Sequence, residues 1–172
     1  MNRHSYIDPD LLSGLERLAQ ANGGFDVAMN LEGARRASEA RDDALLTKLD
    51  IPEGIVQETL SFTARHGHLI DLRICRPADT LGPQPVFYWM HGGGYVMGSA
   101  RQGDVFTLRA ASQLGMFAVS VEYRLAPETP YPGPLEDCYE GLAHLAENAG
   151  ALNLDTDKII IGGVSAGGGL CA

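Results

Sequence analysis

The sequence predicts an α/β protein with a mixed, mostly parallel sheet. Apolar runs that read as strands alternate with amphipathic stretches that read as helices over the last ninety or so residues. Two of the runs, Pro85–Met90 and Phe117–Val121, are continuously apolar, as strands covered on both faces are. The helical stretches between them carry start and stop residues at their ends.

In chain order, residues 8–20 read as a helix, with Asp8 as cap, Pro9 at the first helical position and Leu11, Leu12, Leu15, Leu18 and Ala19 on one stripe. Gly23-Gly24 is expected to end it. Residues 31–48 read as a second helix with a poor stripe (Leu31, Ala34, Leu45, Leu46). After Pro52, Val56–Phe62 and Leu69–Ile74 read as a hairpin turned at His66-Gly67. A strand at Pro85–Met90 follows, then a helix from Asp104, as cap, to Leu114, stopped by Gly115. Phe117–Val121 is the next strand and Pro134–Ala149 the next helix, with Leu135, Cys138, Leu142, Leu145 and Ala149 as its stripe. Lys158–Gly162 is the last strand. The organisation read from this is residues 1–50 as N-terminal helices and 51–172 as the sheet-bearing core.

Composition narrows the function. Thirteen Lys+Arg against twenty-two Asp+Glu give a net charge of −9, which argues against nucleic-acid phosphate and anionic membrane surfaces as partners. No apolar run approaches the length of a membrane span, and the N-terminus lacks a signal-peptide core, so a cytoplasmic location is expected. Cys75, Cys138 and Cys171 are odd in number and lack metal-ligand spacing; neither a disulfide set nor a metal site is expected. No cofactor motif is present, and a homo-oligomer is compatible with the sequence.

Two motifs carry chemistry. Gly163-Val164-Ser165-Ala166-Gly167 fits G-x-S-x-G and follows a strand directly, with small residues after it that can begin a helix. A serine on so tight a turn presents its hydroxyl outward, and the helix behind it aims N–H groups at whatever the serine binds. A dinucleotide turn is the competing reading, but the stretch lacks G-x-G-x-x-G with a downstream acid. His91-Gly92-Gly93-Gly94 directly follows the apolar strand ending at Met90. Consecutive glycines leave backbone N–H groups free to face a developing oxyanion, where one donor is worth about 2.7–4 kcal/mol of barrier. Alone, the same glycines also suit a flexible loop or an anion-binding nest.

The blocks His91-Gly92-Gly93-Gly94-Tyr95 with Gly98-Ser99, Tyr123-Arg124-Leu125-Ala126-Pro127-Glu128, and Gly163-Val164-Ser165-Ala166-Gly167-Gly168 together resemble the hormone-sensitive-lipase-like branch of the α/β-hydrolases. The resemblance covers residues 55–172, and the N-terminal helices resemble the family's cap. It implies an α/β-hydrolase fold and a carboxylic-ester hydrolase that uses a Ser–Asp/Glu–His triad, an acyl-enzyme and no cofactor, on a small-molecule ester. Ser165 is then the nucleophile. Gly93, Gly94 and Ala166 donate N–H groups to the oxyanion, His91 orients its loop, and Tyr95 lines the substrate pocket. Position 164, often acidic in this family, is valine. Arg124 is expected to pair with Glu128.

In this fold the acid and base follow the serine along the chain. Only Ala166–Ala172 follow here, without Asp, Glu or His, and His4, His66, His68, His91 and His144 all precede Ser165. The expectation is therefore only the N-terminal part of the fold, a fragment nearly inactive by itself, with Lys158–Gly162 as an open apolar edge. The resemblance also permits a non-catalytic, small-molecule-binding relative or a decayed gene product. Asp155 and Asp157 are read as turn residues, and Cys171 as packing.

Overall fold

Why a chain with these apolar runs makes one sheet follows from which faces they leave to be covered. The computed structural model describes residues 8–21 and 30–172. Two units are distinguished, one ending at Ala37 and one running from Ser38 to Ala172.

In the first unit, α1 (Pro9–Ala21) starts as expected, the Asp8 carboxylate accepting the Asp10 N–H at 3.0 Å. The side chains of Leu15, Leu18 and Ala19, and the expected stop at Gly23-Gly24, lie outside the described residues. Helix α2 (Leu31–Leu46) begins there and continues into the second unit.

In the second unit, β1 (Ile55–Thr63) and β2 (Leu69–Pro77) form the expected hairpin. Strands β3 (Gln84–Met90), β4 (Phe117–Glu122) and β5 (Leu154–Gly163) complete a five-stranded sheet among the described residues, in the order β1-β2-β4-β3-β5. β2 is antiparallel to both β1 and β4, while β4, β3 and β5 are mutually parallel. Only β2 therefore runs against the rest, which is the mixed, mostly parallel sheet expected.

Alternation along each strand loads both faces. Ile70, Leu72, Ile74, Val86, Tyr88, Phe117, Val119 and Val121 pack on one side with Cys138 and Leu145 of α4 (Gly133–Glu147). The short helices α5 (Ala149–Leu152) and α6 (Ala166–Cys171) contribute Leu152 and Leu170 to the same layer. On the other side, Cys75 meets Leu108 and Ala111 of α3 (Asp104–Leu114), and Trp89 stacks on Phe106 at 4.3 Å between ring centroids. A sheet covered on both faces is what the continuously apolar runs required. β5 is an edge strand, and Ile160 and Ile161 on it are exposed.

Three local expectations need correction. Asp104 does not cap α3: it is the first helical residue, Gly103 occupies the cap position, and the carboxylate instead takes both arms of Arg73 at 2.7 and 2.8 Å. A two-pronged, charge-assisted pair is stronger than one bond to a helix N–H. Leu135 leaves the buried stripe of α4 and is 40% exposed, although Cys138 and Leu145 are buried as expected. Arg124 turns its guanidinium onto Asp137 of α4, at 2.7 and 2.8 Å, and not onto Glu128. Other expectations hold. Gly115 ends α3 in the left-handed conformation at φ 66°, and Asp155 closes a turn by accepting from Asp157 N–H and Lys158 Nζ.

Candidate active site

The two motifs sit at the ends of neighbouring parallel strands. Met90 pairs with Gly163 in the β3–β5 register, so both chains leave the sheet side by side. Ser165 occupies the turn between β5 and α6 at φ 54°, ψ −117°, and is exposed. That conformation is rare for any residue with a side chain and costs of order 1–3 kcal/mol, which the surrounding structure must hold.

What holds it is close backbone packing. A Cβ on Gly167 would strike the carbonyl of Met90 and stand 2.6 Å from that of His91. A Cβ on Gly92 would stand 3.0 Å from Val164 O and 3.6 Å from the Ser165 Cβ. The first glycine of the loop is thus in contact distance of the serine turn, and the helix start lies against the end of β3.

Beyond Gly92 the loop turns through left-handed backbone at Gly93 (φ 125°), Gly94 (φ 64°) and Tyr95 (φ 65°). Val96 and Met97 N–H both return to Gly93 O, at 3.2 and 3.1 Å. Among the described residues, no hydrogen bond takes up the N–H of Gly93, Gly94 or Ala166. Ala166, buried, opens α6.

His91 is fully buried beneath this loop. Its ring stacks on Tyr123 with centroids 4.1 Å apart, and its Nδ1 lies 2.7 Å from Gly92 O. A carbonyl can only accept, so Nδ1 carries the proton. The Tyr123 hydroxyl donates to His91 O at 2.8 Å. Burial pushes the His91 pKa down, only partly offset by the Gly92 hydrogen bond, so the ring is neutral near pH 7. Tyr95, Gly94, Ala126, Tyr131, Leu135 and Leu170 help line an apolar cavity of about 400 Å³.

Among the described residues no hydrogen bond joins Ser165 to a histidine. His68 is bound to Asp137 at 2.9 Å, and His144 stacks on Phe62 at 4.1 Å. His4 lies outside the described residues. Among the described residues no group of three or more His, Cys, Asp or Glu could hold a metal ion. All three cysteines are free thiols, and Cys171 packs with its Sγ 3.1 Å from Gly167 O. No described helix is long and apolar enough to cross a membrane.

Sequence reasoning passed over Gly92, the loop glycine set against Val164 and Ser165, because the triplet gave no reason to single it out. It also passed over the His68–Asp137–Arg124 cluster, whose members lie far apart in the chain.

A doubly covered, mostly parallel sheet with a strained serine between strand and helix is the architecture of the α/β-hydrolase class. The α/β hydrolase fold family matches residues 87–172. The ethyl acetate hydrolase of Pseudomonas putida is 32% identical over 170 residues, which cover 95% of this chain and 53% of that protein. A bacterial heroin esterase of known structure superposes with a TM-score of 0.82 at 38% identity, covering 95% of this chain and 50% of the other. An esterase of Pyrobaculum calidifontis superposes with a TM-score of 0.78 at 34% identity, covering 91% and 50%. The chain belongs to the α/β-hydrolase family, as its resemblance to the hormone-sensitive-lipase-like branch implied. It spans about half the length of these relatives.

Proposed function

We propose that the protein hydrolyses carboxylic esters of small molecules. Ser165 attacks the ester carbonyl, an acyl-enzyme forms with loss of the alcohol, and water releases the acid. The N–H groups of Gly93, Gly94 and Ala166 stabilise the oxyanion. His91, neutral and clamped between Gly92 O and Tyr123, orients the glycine loop and does not act as base. Tyr95 forms part of the substrate pocket wall. In this reading residues 1–50 supply cap helices, and 51–172 belong to the catalytic core. Acid and base follow the serine in this fold, so none of His66, His68, His91 or His144 is assigned that role. Residues 1–172 alone are accordingly expected to be nearly inactive. The site needs no cofactor in this mechanism, and the location is taken as cytoplasmic.

The observation that carries the reading is the Ser165 turn, at φ 54°, in contact distance of Gly92. The strained turn presents the Ser165 hydroxyl, and N–H groups not otherwise used are the donors that electrostatic stabilisation of an oxyanion requires. The relatives' names support an ester substrate. The test is hydrolysis of a short-chain aryl ester by the full-length protein with and without Ser165→Ala. Loss of at least about a thousandfold in kcat is expected; an unchanged rate refutes the assignment.

A further inference from the structure

In helix α6 the first residue, Ala166, is followed by Gly167, Gly168 and Gly169, although glycine inside a helix is disfavoured relative to alanine. Gly167 is explained by the backbone of Met90 and His91. Gly168 has no neighbour nearer than 3.5 Å to an added Cβ. Gly169 has a different neighbour: a Cβ there would stand 2.5 Å from the Tyr95 hydroxyl and 3.7 Å from its Cζ.

Each end of this contact is anchored. Tyr95 directly follows Gly94, its backbone is left-handed at φ 65°, and its carbonyl accepts the Ala126 N–H at 2.8 Å. The ring therefore projects from a backbone fixed on both sides. Gly169 lies one helical turn beyond Ser165 and donates its N–H to Ser165 O at 3.2 Å. The phenol spans the gap between the loop of Gly93 and Gly94 and the helix that starts at Ser165.

We infer that Tyr95, seated on Gly169, is a positioning residue that sets the distance between the Gly93–Gly94 amides and the Ser165 hydroxyl. This rests on the ester-hydrolase reading above. A side chain at position 169 forces the phenol off its seat, and the loop of Gly93 and Gly94 loses the strut that spaces it from α6. The oxyanion donors then lose their spacing, while Tyr95 and Gly169 are two among several walls of the substrate cavity. Transition-state binding therefore suffers more than ground-state binding.

The geometry supplies its own control. Tyr95→Phe removes the one atom that an added Cβ would strike; the nearest remaining atom, Cζ, is at ordinary contact distance. Gly169→Ala is therefore measured in the full-length protein in both backgrounds. In the Tyr95 protein it is expected to lower kcat about tenfold or more, by a larger factor than any rise in KM, since small misplacements of catalytic groups are costly. Affinity for a trifluoromethyl ketone, whose adduct places a negative oxygen in the same position, falls in parallel. Affinity for a neutral, non-hydrolysed amide of the same acyl group falls less. In the Tyr95→Phe background the same substitution changes kcat by less than about twofold.

A loss of equal size in both backgrounds, a loss confined to KM, or no loss in the Tyr95 protein overturns the inference. Thermal melts accompany the kinetics. Failure of Gly169→Ala to fold only beside Tyr95 supports the seating, and failure in both backgrounds overturns it. Ser165→Ala separates the two levels. If it abolishes hydrolysis and Gly169→Ala does nothing, only the positioning role falls. If it leaves hydrolysis intact, the ester-hydrolase reading falls, and the positioning role with it.

Discussion

Asp137 is the most heavily used polar group in the described fold, and removing either side of its pairing has unequal consequences. Its side chain is 1% exposed, and it accepts from Arg124 N, Nε and Nη2 and from His68 Nε2, all between 2.7 and 2.9 Å. Arg124 is 34% exposed. Arg124→Ala leaves a buried carboxylate with only His68 and the backbone N–H of residue 124, without its charged partner, and breaking a buried pair in this way costs about 3–5 kcal/mol. Asp137→Asn leaves a guanidinium that can turn to water and an amide that still accepts, so the cost is about 1–3 kcal/mol. Urea unfolding of the full-length protein at pH 7 measures both. Burial by itself would raise the Asp137 pKa; the hydrogen bonds and charge of Arg124, together with the His68 hydrogen bond, outweigh it and hold the carboxyl below its usual value. A depressed carboxyl stabilises the fold fully above its unfolded pKa, near 3.9, and progressively less as pH falls through the folded value. The gap between wild type and Arg124→Ala is therefore expected to narrow below about pH 4. If Asp137→Asn proves costlier than Arg124→Ala, or Arg124→Ala costs under about 1 kcal/mol, the reasoning is wrong.

Gly167→Ala is expected to destabilise by about 3 kcal/mol or more, or to prevent folding, because its Cβ meets the Met90 and His91 carbonyls, which cannot move aside. Gly168→Ala, with nothing within 3.5 Å, is expected to gain up to about 1 kcal/mol; thermal melts of the pair check the contrast. Burial lowers the His91 pKa, so the unfolded chain takes up a proton first and stability declines as pH falls below about 6.5. Imidazole NMR shifts that show a protonated His91 at pH 7 would contradict this. With Ile160 and Ile161 exposed on edge strand β5, residues 1–172 expressed alone are expected to self-associate, and Ile160→Lys to reduce it by light scattering. Equal association by both proteins would count against edge pairing.

Periodicity in the sequence specified faces well and partners poorly. The run at Pro85–Met90 reads as a strand covered twice, and β3 is that strand, with Val86 and Tyr88 facing α4 and Trp89 facing α3. The stop at Gly115 needed only local chemistry, and it held. Asp104 and Arg124 failed for one reason. Each is charged, each had a plausible neighbour nearby in sequence, and each found a better two-pronged partner brought close by the sheet: Arg73 for the first, Asp137 for the second. Leu135 fits a helical stripe by spacing, but it sits one turn too early in α4 to reach the sheet and borders the Tyr95 cavity instead. Of the candidate site, the motifs themselves were legible. The Tyr95–Gly169 contact was not, because a glycine triplet does not say which of its members faces what.

The convergence of the two motifs follows from strand order. β3 and β5 are far apart in the chain but adjacent and parallel in the sheet, with Trp89 opposite Gly162 and Met90 opposite Gly163. Parallel neighbours end on the same side, so whatever follows each strand must share one space. Two side chains on both exits would collide there, and glycine on each exit lets the backbones meet: Gly92 against Val164 and Ser165, Gly167 against Met90 and His91. The strained turn at Ser165 is then held not by its own short helix but by the register of two strands in the core. A substitution within β3 or β5 that slips the register is therefore expected to damage the site as much as one in the motifs, although it touches neither.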